Sequence, residues 1–389
     1  MNVQLDGTVA TGLEPVRDAF EASFRGKPEM GAALAIRFRG EVVADLWGGL
    51  ADPSQRIPWR KDTLSVIFSC TKGLVSILAA RLVQDGLLDY QAPVAEYWPE
   101  FAVAGKSGVR VMDLLAHRSG LSAPREPLEL GQIIHWDTVV RQLGAQEPLW
   151  EPGTGYAYHA ITHGWLIGEV IRRITGRSVG EYFSDLVAAP LNADAWIGLP
   201  SRQSARVASM QVGSTLSELT RQQAAARKPD TIDWGLQAMT LGLALPPELV
   251  APGEGFNDPA VQAAEIPGAG GISTARALAS IWSSTITNTD GVRLLDDATA
   301  AVATVPQSEG PPVWDVPAPW PRWGMGFQLD SEARRYLGRS GFGHDGAGGQ
   351  SAFADPEFGI GFAFLTNQME AIDDLRATSI IDALRHCLA

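Results

Sequence analysis

The segment DTLSVIFSCTKG (62–73) combines an apolar run, a serine–lysine pair and the start of a predicted helix. Its apolar run LSVIF (64–68) leads into Ser69 and Lys72, an S-x-x-K arrangement, and helical periodicity continues over about 71–85. One turn of helix places the lysine amine beside the serine hydroxyl. A serine becomes a good nucleophile when a neighbouring base takes its proton, and burial lowers a lysine pKa toward that role.

The placement of Ser69 predicts that it stands at a helix N-terminus. Free backbone N–H groups and the helix dipole favour a developing negative charge there. The alternative interpretation is structural, with an N-cap serine followed by a surface lysine at 72. A lone S-x-x-K match is compatible with both a catalytic serine and an N-cap serine.

A second serine motif competes for the role of nucleophile. Gly176-Arg177-Ser178-Val179-Gly180 matches the G-x-S-x-G elbow, which requires a strand before the serine. The preceding residues, GWLIGEVIRRIT, have helical periodicity instead, and Glu181 stands where a capping box needs it. We therefore expect Ser178 to be a helix cap and not a nucleophile.

Composition excludes several classes of function. The chain has 389 residues, more than the roughly 250–300 at which one core stops growing, so two lobes are expected. A net charge of −13 argues against nucleic-acid binding. No apolar run approaches the about 18 residues of a membrane span, and the N-terminus lacks signal-peptide features. With two cysteines, we expect a soluble, cytoplasmic protein without a membrane partner.

Strand and helix patterns at the two ends of the chain mirror each other. Strands are predicted at 31–38 and 41–49, around an Arg39-Gly40 hairpin, and at 350–354 and 358–367. Terminal helices are predicted at 12–25 and 370–387, and the interior is mostly helical, with segments at 71–85, 160–174 and 180–189. The pattern predicts one antiparallel sheet built from both termini.

Five segments, in matching order, resemble the serine β-lactamase and penicillin-recognising superfamily, specifically its esterase branch, the family VIII carboxylesterases. They are DTLSVIFSCTKG (62–73), VMDLLAHRSGL (111–121), EPGTGYAYHAITHGWLIGEVI (151–171), GAGGISTARALASIW (268–282) and GHDGAGG (343–349). The resemblance implies an α+β, β-lactamase-like fold. An antiparallel sheet flanked by terminal helices would form one lobe (1–69 and 251–389), an all-helical lobe would span 70–250, and the active site would lie between them.

The resemblance also implies roles for individual residues. Ser69 would be acylated, Lys72 would be its proton partner, and Tyr158 would relay a proton to the leaving group, with Tyr156 left open as the phenol. A lysine ammonium nearby would lower the tyrosine pKa. The backbone N–H groups of Ser69 and Ala347 would form the oxyanion hole. His344, Asp345 and Gly346 would lie against the substrate.

Three departures from the family pattern favour ester hydrolysis. The sequence Tyr158-His159-Ala160 lacks the asparagine of the lactamase Y-x-N motif, His344 replaces the lysine of K-T-G, and Ala277 replaces an aspartate. A largely neutral imidazole holds a carboxylate more weakly than an ammonium does. We expect a serine carboxylesterase that hydrolyses small, short-acyl esters and needs no cofactor.

Other functions stay open at this point. A β-lactamase or D-Ala peptidase, an acyltransferase or amide hydrolase with the same machinery, and a non-catalytic binding protein are the alternatives. The sequence also leaves open whether copies of the chain form a homo-oligomer. His159 and His163 have an i, i+4 helical spacing, but neither a third ligand nor an H-E-x-x-H glutamate is evident, so no metal is expected. Residues 310–323, with five prolines and three tryptophans, form either a surface loop or an active-site rim.

Overall fold

Strands from both ends of the chain form one antiparallel sheet. The structure is a computed structural model that describes residues 3–227, 231–371 and 374–388. Its strands are β1 (Leu5–Val9), β2 (Gly31–Phe38), β3 (Glu41–Asp52), β4 (Ile57–Pro58), β5 (Ser65–Val66), β6 (Ala195–Ile197), β7 (Gln211–Val212), β8 (Val250–Ala251), β9 (Glu254–Gly255), β10 (Gly271–Ser273), β11 (Arg322–Trp323), β12 (Gln328–Leu329), β13 (Phe342–Asp345), β14 (Ser351–Asp355), β15 (Ile360–Thr366) and β16 (Gln368–Met369).

The main sheet joins the two termini at the pairing of β2 with β15. Its order is β1-β3-β2-β15-β14-β13-β12-β11, with β4 added to β3, and its neighbours are antiparallel. The β2–β3 hairpin turns at Arg39 and Gly40, both with positive φ (51° and 91°), as a tight hairpin requires. The sheet predicted from the terminal patterns is therefore present.

Helices cover both faces of this sheet and build the rest of the protein. They are α1 (Glu14–Ala22), α2 (Cys70–Gln84), α3 (Val94–Tyr97), α4 (Val111–Leu115), α5 (Leu130–Ile133), α6 (Trp136–Ala145), α7 (Thr162–Thr175), α8 (Val179–Phe183), α9 (Ser214–Ala226), α10 (Trp234–Thr240), α11 (Pro259–Ala263), α12 (Ala275–Ser284), α13 (Asp297–Ala303) and α14 (Arg376–Leu388). None of the helices in the described ranges is long and apolar enough to cross a membrane.

The two larger hydrophobic cores of the described residues result from this arrangement. Helices α1 and α14 pack together on one face of the sheet, where Phe20, Ile380 and Phe364 are fully buried. Helix α12 covers the other face and carries Trp282 into a larger core shared with α2 and α7. Helix α2 is buried on nearly every side within this core, and it packs against β13 of the sheet.

Two expectations about the elements need correction. The interior segment is mostly but not entirely helical, because β6 joins β5 and β10 in a small three-stranded sheet and β7 pairs with β16. The last helix begins at Arg376 and not near 370, since Gln368–Met369 extends in parallel beside Gln211–Val212. Pairing with a distant strand outweighs the local helical pattern here.

Candidate active site

The turn before α2 presents Ser69. The Ile67 N–H donates to the Gly271 carbonyl (2.9 Å), which ties the end of β5 to β10. The chain then turns at Phe68, whose φ of 43° lies in the left-handed region that non-glycine residues rarely adopt. Thr71 Oγ1 donates to the Phe68 carbonyl (2.5 Å) and holds this conformation. Ser69 follows at the N-cap position of α2, as the sequence predicts.

Lys72 lies fully buried beside Ser69. Its Nζ is 2.9 Å from Ser69 Oγ, and it donates to the backbone carbonyls of Ala160 and Gly268 (2.6 Å for Gly268). No carboxylate in the described part of the chain is hydrogen-bonded to this amine. Burial therefore lowers the pKa of Lys72 well below 10.5. The surface-lysine interpretation of the motif is wrong.

Two glycines bring one of these carbonyls to the lysine. A Cβ on Gly268 would lie 2.1 Å from the Ile161 carbonyl oxygen, and one on Gly164 would lie 1.9 Å from the Gly268 nitrogen. Any side chain at either position would push the 268 turn away from the start of α7. The close approach places the Gly268 carbonyl on Lys72, so these glycines help to define the environment of the amine.

Two tyrosines near the site have different surroundings. The Tyr158 phenol lies close enough to the Ser69 side chain to interact with it, and the Tyr158 ring lies 4.8 Å from Lys72 Nζ. Tyr156 instead donates from its hydroxyl to the Gly310 carbonyl (2.5 Å). The structure therefore brings Tyr158, and not Tyr156, to the serine hydroxyl.

The protonation of Tyr158 differs from the expectation. Burial raises the pKa of its phenol above 10 and outweighs the interaction with the Ser69 side chain, which acts in the opposite direction. The expectation of a pKa lowered by a lysine ammonium is wrong, since Lys72 itself is buried with a lowered pKa and lies over the face of the ring. Tyr158 is a neutral phenol that can donate a proton.

The end of strand β13 lies against the start of α2. Cys70 Sγ donates to the His344 carbonyl (3.1 Å), and a Cβ on Gly346 would lie 2.4 Å from the Ile67 carbonyl oxygen. Gly346 is thus required for close contact between two backbone segments. Ser69 and Ala347 are the chain neighbours of Cys70 and Gly346. Within the described residues, their N–H groups make no backbone hydrogen bond.

His344 is uncharged, and the charge of Asp345 is compensated by a neighbouring arginine. Burial lowers the pKa of His344 to about 3, so its imidazole is neutral at pH 7. Its Nδ1 donates to the Asp345 carbonyl (2.6 Å), which leaves the Nε2 lone pair as an acceptor. The Asp345 carboxylate is ion-paired with Arg334.

A cavity of about 370 Å³ opens above Ser69. Aromatic and aliphatic side chains dominate its wall, and among its described lining residues Asp345 is the one with a charge. The residues that line it are Ser69, Tyr156, Ala157, Tyr158, Met239, Pro312, Trp314, Val316, Trp320, Pro321, Trp323, Gln328, His344, Asp345 and Ala347. The proline- and tryptophan-rich segment 310–323 therefore forms a rim of this cavity as well as an exposed loop.

His117, His159 and His163 lie close together next to Tyr158. The described residues contain no group of side chains that could hold a metal ion. His159 precedes α7, which begins at Thr162, so it does not share a helix with His163 as the spacing predicts. Both of its ring nitrogens are engaged, with Nδ1 donating to the Ala157 carbonyl (2.7 Å) and Nε2 accepting from the Leu121 N–H (3.2 Å). Burial lowers the pKa of His159 to about 3.

The competing serine lies in a different environment. Ser178 caps α8 by accepting from the Glu181 N–H (3.2 Å), and it donates to Glu265 Oε1 (2.5 Å). Helix α7, and not a strand, precedes it, with Gly176 in the left-handed conformation between the two helices. The structural interpretation of the G-x-S-x-G motif is therefore confirmed.

Comparison with known proteins agrees with this fold. A family model described as Beta-lactamase matches residues 20–385. The chain belongs to the beta-lactamase family. The Esterase/beta-lactamase LipL of Mycobacterium tuberculosis is 32% identical over 358 residues, which cover 90% of this chain and 80% of LipL. The predicted α+β, β-lactamase-like fold is confirmed.

Two solved structures extend the comparison. A family VIII carboxylesterase is 35% identical, with a TM-score of 0.85, and covers 99% of this chain and 100% of that one. A penicillin-binding protein homolog from Caulobacter crescentus is 33% identical, with the same TM-score and coverage. The resemblance to the esterase branch is confirmed, and so, at the level of the family, is the prediction of a serine hydrolase.

Some parts of the candidate site were not predicted. The two carbonyls on Lys72, Met239 from α10, Gln328 and the stacking of Trp323 on Tyr158 (5.2 Å, 13°) are visible only in the structure. Of these features, only the tryptophan at 323 was indicated by the sequence, through the tryptophan-rich composition of 310–323. The other contacts join residues far apart in sequence.

Proposed function

We propose that the protein is a serine carboxylesterase that hydrolyses small esters with short acyl chains through an acyl-enzyme on Ser69. The contact of 2.9 Å between Lys72 Nζ and Ser69 Oγ carries this proposal. A neutral lysine amine has two N–H groups and one lone pair. The carbonyls of Ala160 and Gly268 take up the two N–H groups, so the lone pair faces the serine hydroxyl.

Acylation begins with transfer of the Ser69 proton to Lys72. Ser69 Oγ then bonds to the ester carbonyl carbon, and a tetrahedral oxyanion forms. The N–H groups of Ser69 and Ala347 are the donors proposed for this oxyanion, because neither makes a backbone hydrogen bond in the described residues. One such donor contributes about 2.7–4 kcal/mol of barrier lowering in a comparable site.

Collapse of the oxyanion breaks the bond to the alcohol oxygen. Tyr158, a neutral phenol next to Ser69 Oγ, donates its proton to that oxygen and recovers one from the Lys72 ammonium. Water then attacks the acyl-enzyme and passes a proton to the Lys72–Tyr158 pair, and Ser69 regains its own. The sum is one ester and one water converted to one acid and one alcohol.

The charges around the cavity favour esters over β-lactams and D-Ala peptides, which carry a carboxylate. His344 is neutral at pH 7, and neither lysine nor arginine is among the described lining residues. The Asp345 carboxylate adds a negative charge, although Arg334 compensates it. His159-Ala160, after the tyrosine, also offers no side-chain amide to a lactam.

We also propose that the cleft separates two lobes, 1–69 with 251–389 and 70–250. Cavity residues come from both parts of the chain, with Tyr158 and Met239 from the second and His344 from the first.

The test compares p-nitrophenyl butyrate with nitrocefin at pH 7.5. We expect kcat/KM to be about 100-fold or more higher for the ester, because a carboxylate loses a charge-assisted hydrogen bond in this cavity. Equal or faster turnover of nitrocefin would mean that the protein acts as a β-lactamase. Absence of turnover with any ester would contradict the proposed function.

A further inference from the structure

Much of the cavity wall comes from the aromatic segment 310–323, which is hydrogen-bonded to Tyr156. Tyr156 donates to the Gly310 carbonyl (2.5 Å) and accepts from the Val313 N–H (2.8 Å) at its own carbonyl. Trp320 Nε1 donates to the Val316 carbonyl (2.8 Å), which closes the turn between them. The segment is therefore held in place by specific hydrogen bonds.

All three tryptophans of this segment line the cavity, and two of them pack on other aromatic rings. Trp314 packs perpendicular to Trp150, with ring centroids 5.5 Å apart, and Trp323 stacks on Tyr158 at 5.2 Å. Trp314 and Trp320 are partly exposed and line the cavity. A flat, uncharged ring that enters the cavity can cover these faces without leaving a buried charge unpaired.

The position of these tryptophans identifies which half of the ester they contact. In the proposed function, on which this inference rests, Tyr158 protonates the alcohol oxygen, so the alcohol half lies next to Tyr158. Trp323 stacks on Tyr158, and Trp314 and Trp320 of the same segment line the same cavity. The acyl half points elsewhere, since its carbonyl oxygen is directed toward the N–H groups of Ser69 and Ala347.

We propose that the cavity selects esters of aromatic alcohols, with the ring of the alcohol against Trp314 and Trp320. The substrate class is thus an arylmethyl or aryl ester of a short acid that carries no carboxylate. The ring is recognised by its π faces, and its size is limited by the cavity of about 370 Å³.

The test uses benzyl acetate and cyclohexylmethyl acetate, which have similar shape and differ in their π faces. We expect kcat/KM to favour benzyl acetate about five-fold, the worth of one aromatic contact. Trp314→Leu and Trp320→Leu should each reduce this ratio toward one. Trp47→Leu is the matched control, because Trp47 does not line the cavity, and it should leave the ratio unchanged.

Vinyl acetate, which has no ring, separates failure of this inference from failure of the function. If vinyl acetate is hydrolysed but the benzyl preference is absent or survives both substitutions, the aromatic selection is wrong. Preference for methyl phenylacetate over methyl cyclohexylacetate, in place of the benzyl preference, would overturn the assignment to the alcohol half. If none of these esters is hydrolysed, the proposed function itself fails, and this inference with it.

A second, independent set of contacts surrounds His117. This residue follows α4 with φ 62°, in the left-handed region. Its carbonyl accepts from the Ala157 N–H (3.1 Å), and its Nδ1 accepts from the His159 N–H (3.2 Å). The two bonds hold the residues on either side of Tyr158. The imidazole also packs against the Tyr158 ring in a T-shaped arrangement, with centroids 5.0 Å apart.

We infer that His117 is a positioning residue that fixes the Tyr158 phenol against Ser69. His117→Asn keeps an acceptor near the Nδ1 position and tolerates a positive φ, whereas His117→Leu has nearly the same shape without the acceptor. His117→Gly, which also tolerates the backbone conformation, replaces the leucine variant if that variant does not fold.

Displacement of the phenol should reduce kcat for esters about 10- to 100-fold in the leucine variant, with little change in KM. The asparagine variant should stay within about three-fold of wild type. The rate of fluorophosphonate labelling should change little in either variant, because fluoride leaves without protonation by Tyr158. Unchanged kcat in the leucine and glycine variants, or labelling that falls in parallel with kcat, would overturn the inference.

Discussion

Ser69→Ala is expected to abolish ester hydrolysis, with kcat falling by about 10⁴-fold or more, because no other oxygen replaces the nucleophile. Ser69 is the serine whose Oγ lies 2.9 Å from a buried amine. Its removal takes away no core packing. The variant should therefore fold normally by circular dichroism and thermal melting, and hydrolysis of p-nitrophenyl butyrate measures the loss.

Ser178→Ala is the matched control for this experiment. Ser178 is bonded to Glu181 and Glu265 and lies outside the cavity lining. The substitution should keep kcat within about two-fold and lower the free energy of unfolding by about 0.5–2 kcal/mol, the usual cost of losing an N-cap. Loss of hydrolysis in Ser178→Ala with activity retained in Ser69→Ala would reverse the assignment of the nucleophile.

Lys72→Met is expected to lower kcat for esters by about 10²- to 10⁴-fold, the contribution of a general base. In the wild type, activity needs the neutral amine, so the rate should rise with pH through the lowered pKa of Lys72 and level off above it. That limb of the pH profile should vanish in the variant. The measurement is kcat/KM for p-nitrophenyl butyrate from pH 5 to 9.

Lys106 offers a matched control for the loss of a buried lysine. It is fully buried, and its Nζ donates to the carbonyls of Val103 (3.0 Å) and Gln146 (2.5 Å), away from the cavity lining. Lys106→Met should leave both kcat and its pH profile unchanged in the folded protein. A pH limb that persists in Lys72→Met would show that another group acts as the base.

The sheet was predictable because its strands carry their own signals. The run 31–38 forms β2 with the predicted bounds, and Arg39-Gly40 makes the hairpin turn. The start of α14 was not predictable, since residues 368–369 take part in a pairing with β7, more than 150 residues earlier in the chain. A sequence pattern indicates the secondary structure that a segment prefers locally, and pairing with a strand far away in the sequence can override that preference.

In the candidate site, too, the features set by local sequence were predictable and those set by distant contacts were not. The S-x-x-K spacing predicts the Ser69–Lys72 contact, because both residues belong to one helical turn. The direction of the Tyr158 pKa shift could not be derived, since it depends on how deeply the phenol is buried among distant segments. The aromatic wall likewise follows from tertiary contacts, in which Trp323 meets a tyrosine 165 positions earlier.

Intact mass after reaction with a fluorophosphonate tests the central claim, that Ser69 is the residue acylated. Wild type, Ser69→Ala and Ser178→Ala are labelled in parallel at pH 7.5. We expect one adduct on wild type and on Ser178→Ala, and none on Ser69→Ala. An adduct that persists on Ser69→Ala and disappears from Ser178→Ala, or no adduct on any of the three, would contradict the claim.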